Sequence, residues 1–413
     1  MTTILFYILL IILFFDYIFE HILDYLNLKA LNGEVPQELS DIYDAGQYKK
    51  SMKYERETTR FSFLTSTFSF ILILCMLFFK GFAVADEIVR HYVSNKILIT
   101  VLFFGVLMFL SDLLNIPFEL YSIFVIEEKY GFNKTTVKTY ITDKLKGWML
   151  GVIIGGGLLA LITWFYFLTQ EMFWIYTWVA VSIFSLFMLM FYSSLIVPLF
   201  NKQTPLPDGE LRAAIETFSV KAGFKLKNIF IIDGSKRSTK ANANFTGIGA
   251  KKRIVLYDTL VNDFSVNEVL AVLAHEIGHY KKKHTLYGVI QSIIQTGLML
   301  FILSMFVSKI ELSQALGSTL QTPVFHLGLI CFGIMYSPFS FLIGIIMNVL
   351  SRKHEYEADF FAKSHGLANE LISSLKKLSQ KNLSNLTPHW LYVFFHYSHP
   401  TLLQRIRAIN SVE

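Results

Sequence analysis

Seven apolar stretches punctuate the chain, at residues 3–19, 61–82, 97–118, 148–168, 172–197, 286–307 and 324–350. Each is near the roughly 20 residues that cross about 30 Å of hydrocarbon as a helix. Two long polar segments interrupt the pattern, residues 198–285 and 351–413. In the first, residues 208–222 have helical periodicity after Pro205 and Pro207 and are closed by Gly223. The runs KNIFIIDG and KRIVLYD then read as short strands on either side of STKANANFTGIGA. Ser265, with Glu268 three positions on, gives the S-x-x-E start of a further helix. The pattern predicts a predominantly α membrane protein with seven transmembrane helices and a small α/β domain. The expected organisation is residues 1–197 as helices one to five, 198–285 as a polar segment, 286–350 as helices six and seven, and 351–413 as a second polar segment folding with the first.

Composition agrees with a membrane protein: 53% of residues are hydrophobic and only 16% charged, with a mean hydropathy of +0.48. Lys and Arg concentrate in the segments after spans one, three, five and seven, including Lys49, Lys53, Arg56, Lys129, Lys144 and Lys281 to Lys283. Basic loops stay cytoplasmic, so the amino terminus is expected outside and both polar segments inside. No basic residue precedes the first span, which is expected to be a retained helix rather than a signal. The same bias accounts for the net charge of +6, which therefore gives no reason to expect a nucleic-acid partner; the expected surroundings are membrane lipid. Cys75 and Cys331 fall inside apolar spans, so neither a disulfide framework nor a thiol nucleophile is expected. The sequons at Asn133 and Asn385 fall on the cytoplasmic side, where glycosylation is not expected. GVIIGGG in the fourth span is expected to serve close helix packing, not phosphate binding.

The polar segments carry the chemistry. VLAVLAHEIGHYKKKH contains H-E-x-x-H. Residues four apart share a helical face, so His275 and His279 can offer ring nitrogens to one zinc ion. Glu276 then stands beside the metal, placed to take a proton from an attacking water and return it to a leaving amine. A catalytic zinc needs a third protein ligand, and SRKHEYEADFFAKSHG offers one. Glu355 and Asp359 lie on one face, so Glu355 can bind metal while Asp359 hydrogen-bonds the outer nitrogen of a ligating histidine. His354 and Glu357 are weaker candidates because they are turned away from that face.

HEIGH with EYEAD resembles the gluzincin arrangement of membrane zinc metallopeptidases, and in particular the type-1 CAAX prenyl protease family. FVIEEKYGFNKTT, NANFTG and HPTLLQRI resemble the same family, so the likeness runs over nearly the whole chain. It implies a zincin-like metalloprotease domain, on the side that the basic loops place in the cytoplasm, and the proposed ligands His275, His279 and Glu355 lead to an expected one zinc per chain. It also implies seven helices enclosing a large water-filled chamber. By the same resemblance, Asn242, Ala243, Asn244, Phe245, Thr246 and Gly247 would form an edge strand holding the substrate backbone. His399 would hydrogen-bond the developing oxyanion and Arg405 would organise the site. Asn244 stands where family members often carry an aromatic residue.

The expected function is zinc-dependent endoproteolysis of prenylated CAAX-type or similar extended peptides, in a bacterial inner membrane or the endoplasmic reticulum depending on the host. A quality-control membrane protease would share the chemistry, and a non-catalytic scaffold or lipid-binding chamber would need neither Glu276 nor Glu355. A protease with its site inside the bilayer would carry H-E-x-x-H within a span; here polar residues 262–268 precede it and lysines follow.

Overall fold

The computed structural model describes the chain apart from residues 32–33, 43–44, 225–228, 242, 247–252 and 412–413. It is mostly helical. Among the described residues, six helical stretches are long and apolar enough to cross a membrane: Thr2–Ala30, Gly46–Phe78, Lys96–Tyr130, Val137–Phe200, His284–Phe306 and Phe325–Ser364. Many of their apolar side chains point outward; Ile11, Ile18, Leu64, Ile71, Ile183 and Ile294 are each more than half exposed. Such a surface suits hydrocarbon, not water.

The amino-terminal part comprises α1 (Thr2–Ala30), α2 (Ala45–Phe78), α3 (Gly81–Tyr92), α4 (Lys96–Tyr121), α5 (Val137–Leu150), α6 (Gly157–Thr169) and α7 (Phe173–Leu195). The stretch from Val137 to Phe200 contains both predicted spans 148–168 and 172–197. It is folded back at Gln170, whose φ of +47° breaks the helix, and Tyr166 packs edge-on against Phe173 across the bend. The second predicted span ends early: α2 stops at Phe78, Lys80 adopts a left-handed conformation, and Phe82 belongs to α3.

GVIIGGG does not do what its glycines suggest. Among them Gly151, Gly155 and Gly157 would leave a Cβ in open space and Gly156 would only touch Val101, so no close packing depends on them. They form a widened π-helical turn, Gly151–Gly156.

Two cores mark the two ends of the helical body. At one end Leu39 and Tyr48, Ile126 and Tyr130, and Leu383 and Ile406 share a cluster, so the segments after α1, after α4 and near the carboxyl terminus meet there. At the other end Phe82, Phe103, Leu312 and Val324 pack together. The basic segments after α1 and α4 therefore lie beside the carboxyl-terminal segment.

The polar domain contains β1 (Gln203–Pro205), α8 (Glu210–Lys221), β2 (Ile229–Ile232), β3 (Ala243–Thr246) and β4 (Arg253–Tyr257). The sheet order is β1-β2-β4-β3, with β2 and β4 parallel and both outer pairs antiparallel. Strand β1 is too short to show a period of two in the sequence. Gly223 ends α8 with φ +59°, as its position predicts. The longer helices that follow are α9 (Val266–Lys281), α10 (His284–Phe306), α11 (Phe325–Ser364), α12 (Ala368–Lys381) and α13 (Leu402–Asn410). The expected capping box at the start of α9 is present, with Ser265 accepting from the Glu268 amide and Glu268 accepting from the Ser265 amide.

Helix α11 has 40 residues and does not stop where the apolar run ends. It carries Glu355 and Asp359 out of the apolar layer on a rigid rod. Against it lies α9, and the two touch at Gly278, where a Cβ would stand 3.0 Å from the Ala358 Cα and 3.1 Å from its carbonyl oxygen. The small residues Ala274, Ala358 and Ala362 are fully buried nearby. Glycine at 278 thus lets the H-E-x-x-H face approach the Glu355 face closely enough for shared coordination.

Candidate metal centre

His275 and His279 lie one turn apart on α9, and Glu355 reaches them from α11. The two Nε2 atoms are 3.1 Å apart. His279 Nε2 is 3.2 Å from one Glu355 oxygen and His275 Nε2 is 3.4 Å from the other. Donors about 2.0–2.1 Å from one tetrahedral zinc stand roughly 3.3 Å apart. All three separations are close to that edge length. The two Nε2 atoms and the Glu355 carboxylate converge on one small space, where Glu355 Oε2 is buried without a hydrogen-bond partner. The donor set therefore fits a metal ion, and its N,N,O composition suits zinc.

Each of the two candidate ligand rings is oriented from behind. His275 Nδ1–H donates to Asp359 Oδ1 at 2.8 Å. Arg405 holds that carboxylate with two hydrogen bonds, Nε to Oδ2 at 2.8 Å and Nη2 to Oδ1 at 2.5 Å. Burial opposes a charge on His275, yet the bonds from Asp359 and Glu355 outweigh it and push the pKa up to about 9. The pocket thus favours positive charge, a demand that a divalent cation meets without the extra proton. Arg405 is itself buried, and Asp359 overcomes that burial to keep its guanidinium charged.

His279 is oriented by a pair that sequence reasoning did not assign. Its Nδ1 is 3.0 Å from His284 Nδ1, and His284 Nε2 is 3.0 Å from Glu357 Oε2. His354 stacks on the buried His284 ring at a centroid distance of 4.0 Å. Glu357 and His354 are turned away from the metal ligands, as their positions in the sequence predict, but both serve the His284 ring. The signal for His284 was weak: the left-handed Lys283 breaks the helix between it and His279, so helical periodicity says nothing about their contact.

Glu276 and His399 line a cleft of about 130 Å³ together with His275, Glu355 and Arg405. His399 is exposed, with Nε2 3.3 Å from Glu355 Oε1. A larger groove of about 590 Å³ adjoins it, sharing Leu375, Leu378, His399 and Arg405. Ala243, Asn244, Phe245 and Thr246 form β3, which pairs with β4 on one side and is an edge of the sheet. Asn242 and Gly247 lie outside the described residues.

Fold and site together define a multi-pass membrane metallopeptidase. Residues 24–202 match the family model described as CAAX prenyl protease N-terminal, five membrane helices, and residues 205–413 match Peptidase family M48. The chain is 38% identical to the CAAX prenyl protease 1 homolog of Arabidopsis thaliana over 95% of both chains. It is 37% identical to CAAX prenyl protease 1 of Saccharomyces cerevisiae, over 95% of this chain and 92% of that one. The crystal structure of S. mikatae Ste24p superposes with a TM-score of 0.93 at 35% identity, covering 98% of this chain and 99% of the other. The chain belongs to peptidase family M48, whose members are metalloproteases acting on peptide or protein substrates.

Proposed function

We propose that this zinc metalloprotease cleaves prenylated CAAX-type peptides near their carboxyl end, with one zinc per chain held by His275, His279 and Glu355. The observation that carries the metal assignment is the near-tetrahedral spacing of those three donors beside Glu276. The identity of the two relatives as CAAX prenyl proteases supports the substrate class.

Zinc at this site would polarise the scissile carbonyl and acidify a water. Glu276 takes the proton from the attacking water and delivers it to the leaving amine. His399 donates a hydrogen bond to the oxygen on which negative charge develops. Asp359 with Arg405, and His284 with Glu357, keep the two ligating imidazoles in the tautomer whose Nε2 is free to bind metal. Strand β3 pairs with the substrate backbone as an added strand, so extended peptides are cut and folded domains are spared.

The proposed topology has seven crossings, counting α6 and α7 separately, around a water-filled chamber. The amino terminus lies outside, and the polar domain, formed by residues 198–285 and 351–413, lies in the cytoplasm. Basic residues on the polar-domain side support this orientation. The deciding experiment maps cleavage by mass spectrometry on matched peptides with and without a carboxyl-terminal prenyl cysteine. Preferential cutting of the prenylated peptide is expected. Equal cutting of both would replace the CAAX reading with a general quality-control protease.

A further inference from the structure

The segment of α2 that leaves the apolar layer has its charges sorted around the helix. Lys53, Arg56 and Arg60 fall on one exposed row at spacings of three and four residues. The acidic residues point elsewhere: Glu55 is turned toward Asn27 and Asn385, while Glu57 is taken up by Lys129 at 2.7 Å and the Tyr130 hydroxyl at 2.8 Å. Among the described residues none of the three row cations forms an ion pair, and Arg56 only donates weakly to the Leu31 carbonyl at 3.4 Å. This row does not lie on a flat surface. It borders a cleft of about 640 Å³ between α2 and residues 121–130, whose lining holds four cations and one already neutralised carboxylate.

The other end of the cleft is apolar. Phe61 and Tyr121 face each other with ring centroids 5.0 Å apart, and Leu64 is 58% exposed. The exposed row then continues along α2 through Ile71 and Phe78. A ligand matching this surface has an anionic head and a long apolar tail parallel to the helix. Loop cations that only set topology need no such cleft, and an acidic soluble peptide would gain nothing from the apolar end.

We infer that this cleft binds an anionic phospholipid on the side of the membrane that carries the metal centre. Its phosphate is held by Lys53, Arg56 and Arg60, and its acyl chain lies beside Leu64. Row residues 53 to 60 span roughly 10 Å, enough to surround a single headgroup. Basic pockets between membrane helices bind such headgroups by the same combination of charge and apolar wall.

The test is native mass spectrometry of the full chain in detergent, titrated with phosphatidylserine and with phosphatidylcholine of the same acyl chains. Stronger binding of phosphatidylserine is expected, weakened roughly a hundredfold in the triple variant Lys53→Gln, Arg56→Gln, Arg60→Gln, since each surface cation contributes about fivefold. A triple variant of equal charge loss in the polar domain, Lys202→Gln, Lys221→Gln, Lys236→Gln, should bind as wild type. Leu64→Gln should weaken phosphatidylserine but leave any affinity for inorganic phosphate unchanged. Equal binding of the two lipids, or an unaffected first triple variant, would overturn the inference. So would complete displacement of phosphatidylserine by inorganic phosphate, which would mark a free-anion site.

Discussion

His279 Nδ1 lies 3.0 Å from Nδ1 of His284, so one of these nitrogens carries a proton and the other accepts it. If His279 binds metal through Nε2, its proton is on Nδ1 and His284 must accept. The remaining proton of His284 then sits on Nε2, facing Glu357 Oε2. The chain of bonds is self-consistent and parallels the Asp359 bond behind His275. His284→Ala should therefore lower zinc affinity by roughly 10–100-fold, as loss of such a supporting partner does. Chelator competition on purified protein measures this. Unchanged affinity would reduce the contact to packing.

The three proposed ligands and the proposed proton carrier should separate by metal content. Glu355→Ala removes a donor and should lose zinc or bind it much more weakly, whereas Glu276→Gln should keep zinc while hydrolysis falls by about 10²–10⁴. Elemental analysis alongside peptide turnover checks both. Full zinc in Glu355→Ala would mean that the donor set is wrong, and normal turnover in Glu276→Gln would remove that residue from the proton transfer.

These residues were legible because their chemistry follows helix geometry. His275 and His279 share a face by spacing alone, and so do Glu355 and Asp359. What spacing could not show was that α11 continues unbroken from the apolar layer to Glu355, because hydropathy records where apolar residues stop and not where a helix does. His284 was hidden for the reverse reason: a left-handed residue folds α10 back on α9 and brings together two histidines that helical counting separates. Gly278 was visible only as the filler of H-E-x-x-H; its function depends on Ala358, 80 residues away. The gap between the predicted spans 148–168 and 172–197 marked the bend at Gln170, whereas strand β1 lies below the length at which a hydrophobic period can be read. The glycines of GVIIGGG misled because composition alone cannot distinguish a close helix crossing from a widened turn.

The start of α9 should make the fold sensitive to acid. Burial by itself would raise the Glu268 pKa, but the Lys377 ammonium, the Ser373 hydroxyl and the Ser265 cap together bring it down to about 2. A carboxyl with a depressed folded pKa adds stability above its ordinary value near 4.5, and this is lost as pH falls through about 2. Glu268→Gln lacks that contribution. Its melting temperature should fall below wild type near neutral pH, and the gap should close between about pH 4.5 and pH 2. A gap that stays constant through this window would assign the effect to packing alone.

Topology can be read with an impermeant thiol reagent on intact cells, in a background without Cys75. Cysteine at Thr319, exposed at the end that holds Leu312 and Val324, should be labelled; cysteine at Ser235, exposed on the polar domain, should not. Labelling at position 235 from outside would invert the proposed orientation.

The last prediction concerns how peptide reaches the metal. Among the described residues strand β3 has β4 on one side only, in the register Asn244↔Val255 and Phe245↔Ile254, so its other edge offers backbone N–H and C=O groups to an incoming strand. Because α9 packs against β3, a peptide added there would run beside the helix that carries His275 and His279. Recognition by backbone tolerates varied side chains but demands an extended substrate, since a folded domain has already paired its own backbone groups. Proline at Phe245 or Thr246 removes one donor and fixes a φ that the ladder does not favour. At one of these two neighbouring positions the lost donor faces β4, and at the other it faces the substrate, because successive residues of an antiparallel strand alternate in direction. Both variants should keep zinc. The one that loses the outward donor should raise KM for extended peptides with little change in melting temperature, while the other should also lower stability. Peptide kinetics, metal content and thermal unfolding of both variants beside wild type distinguish these outcomes. If KM stayed at the wild-type value in both, the substrate would be held by something other than the β3 edge.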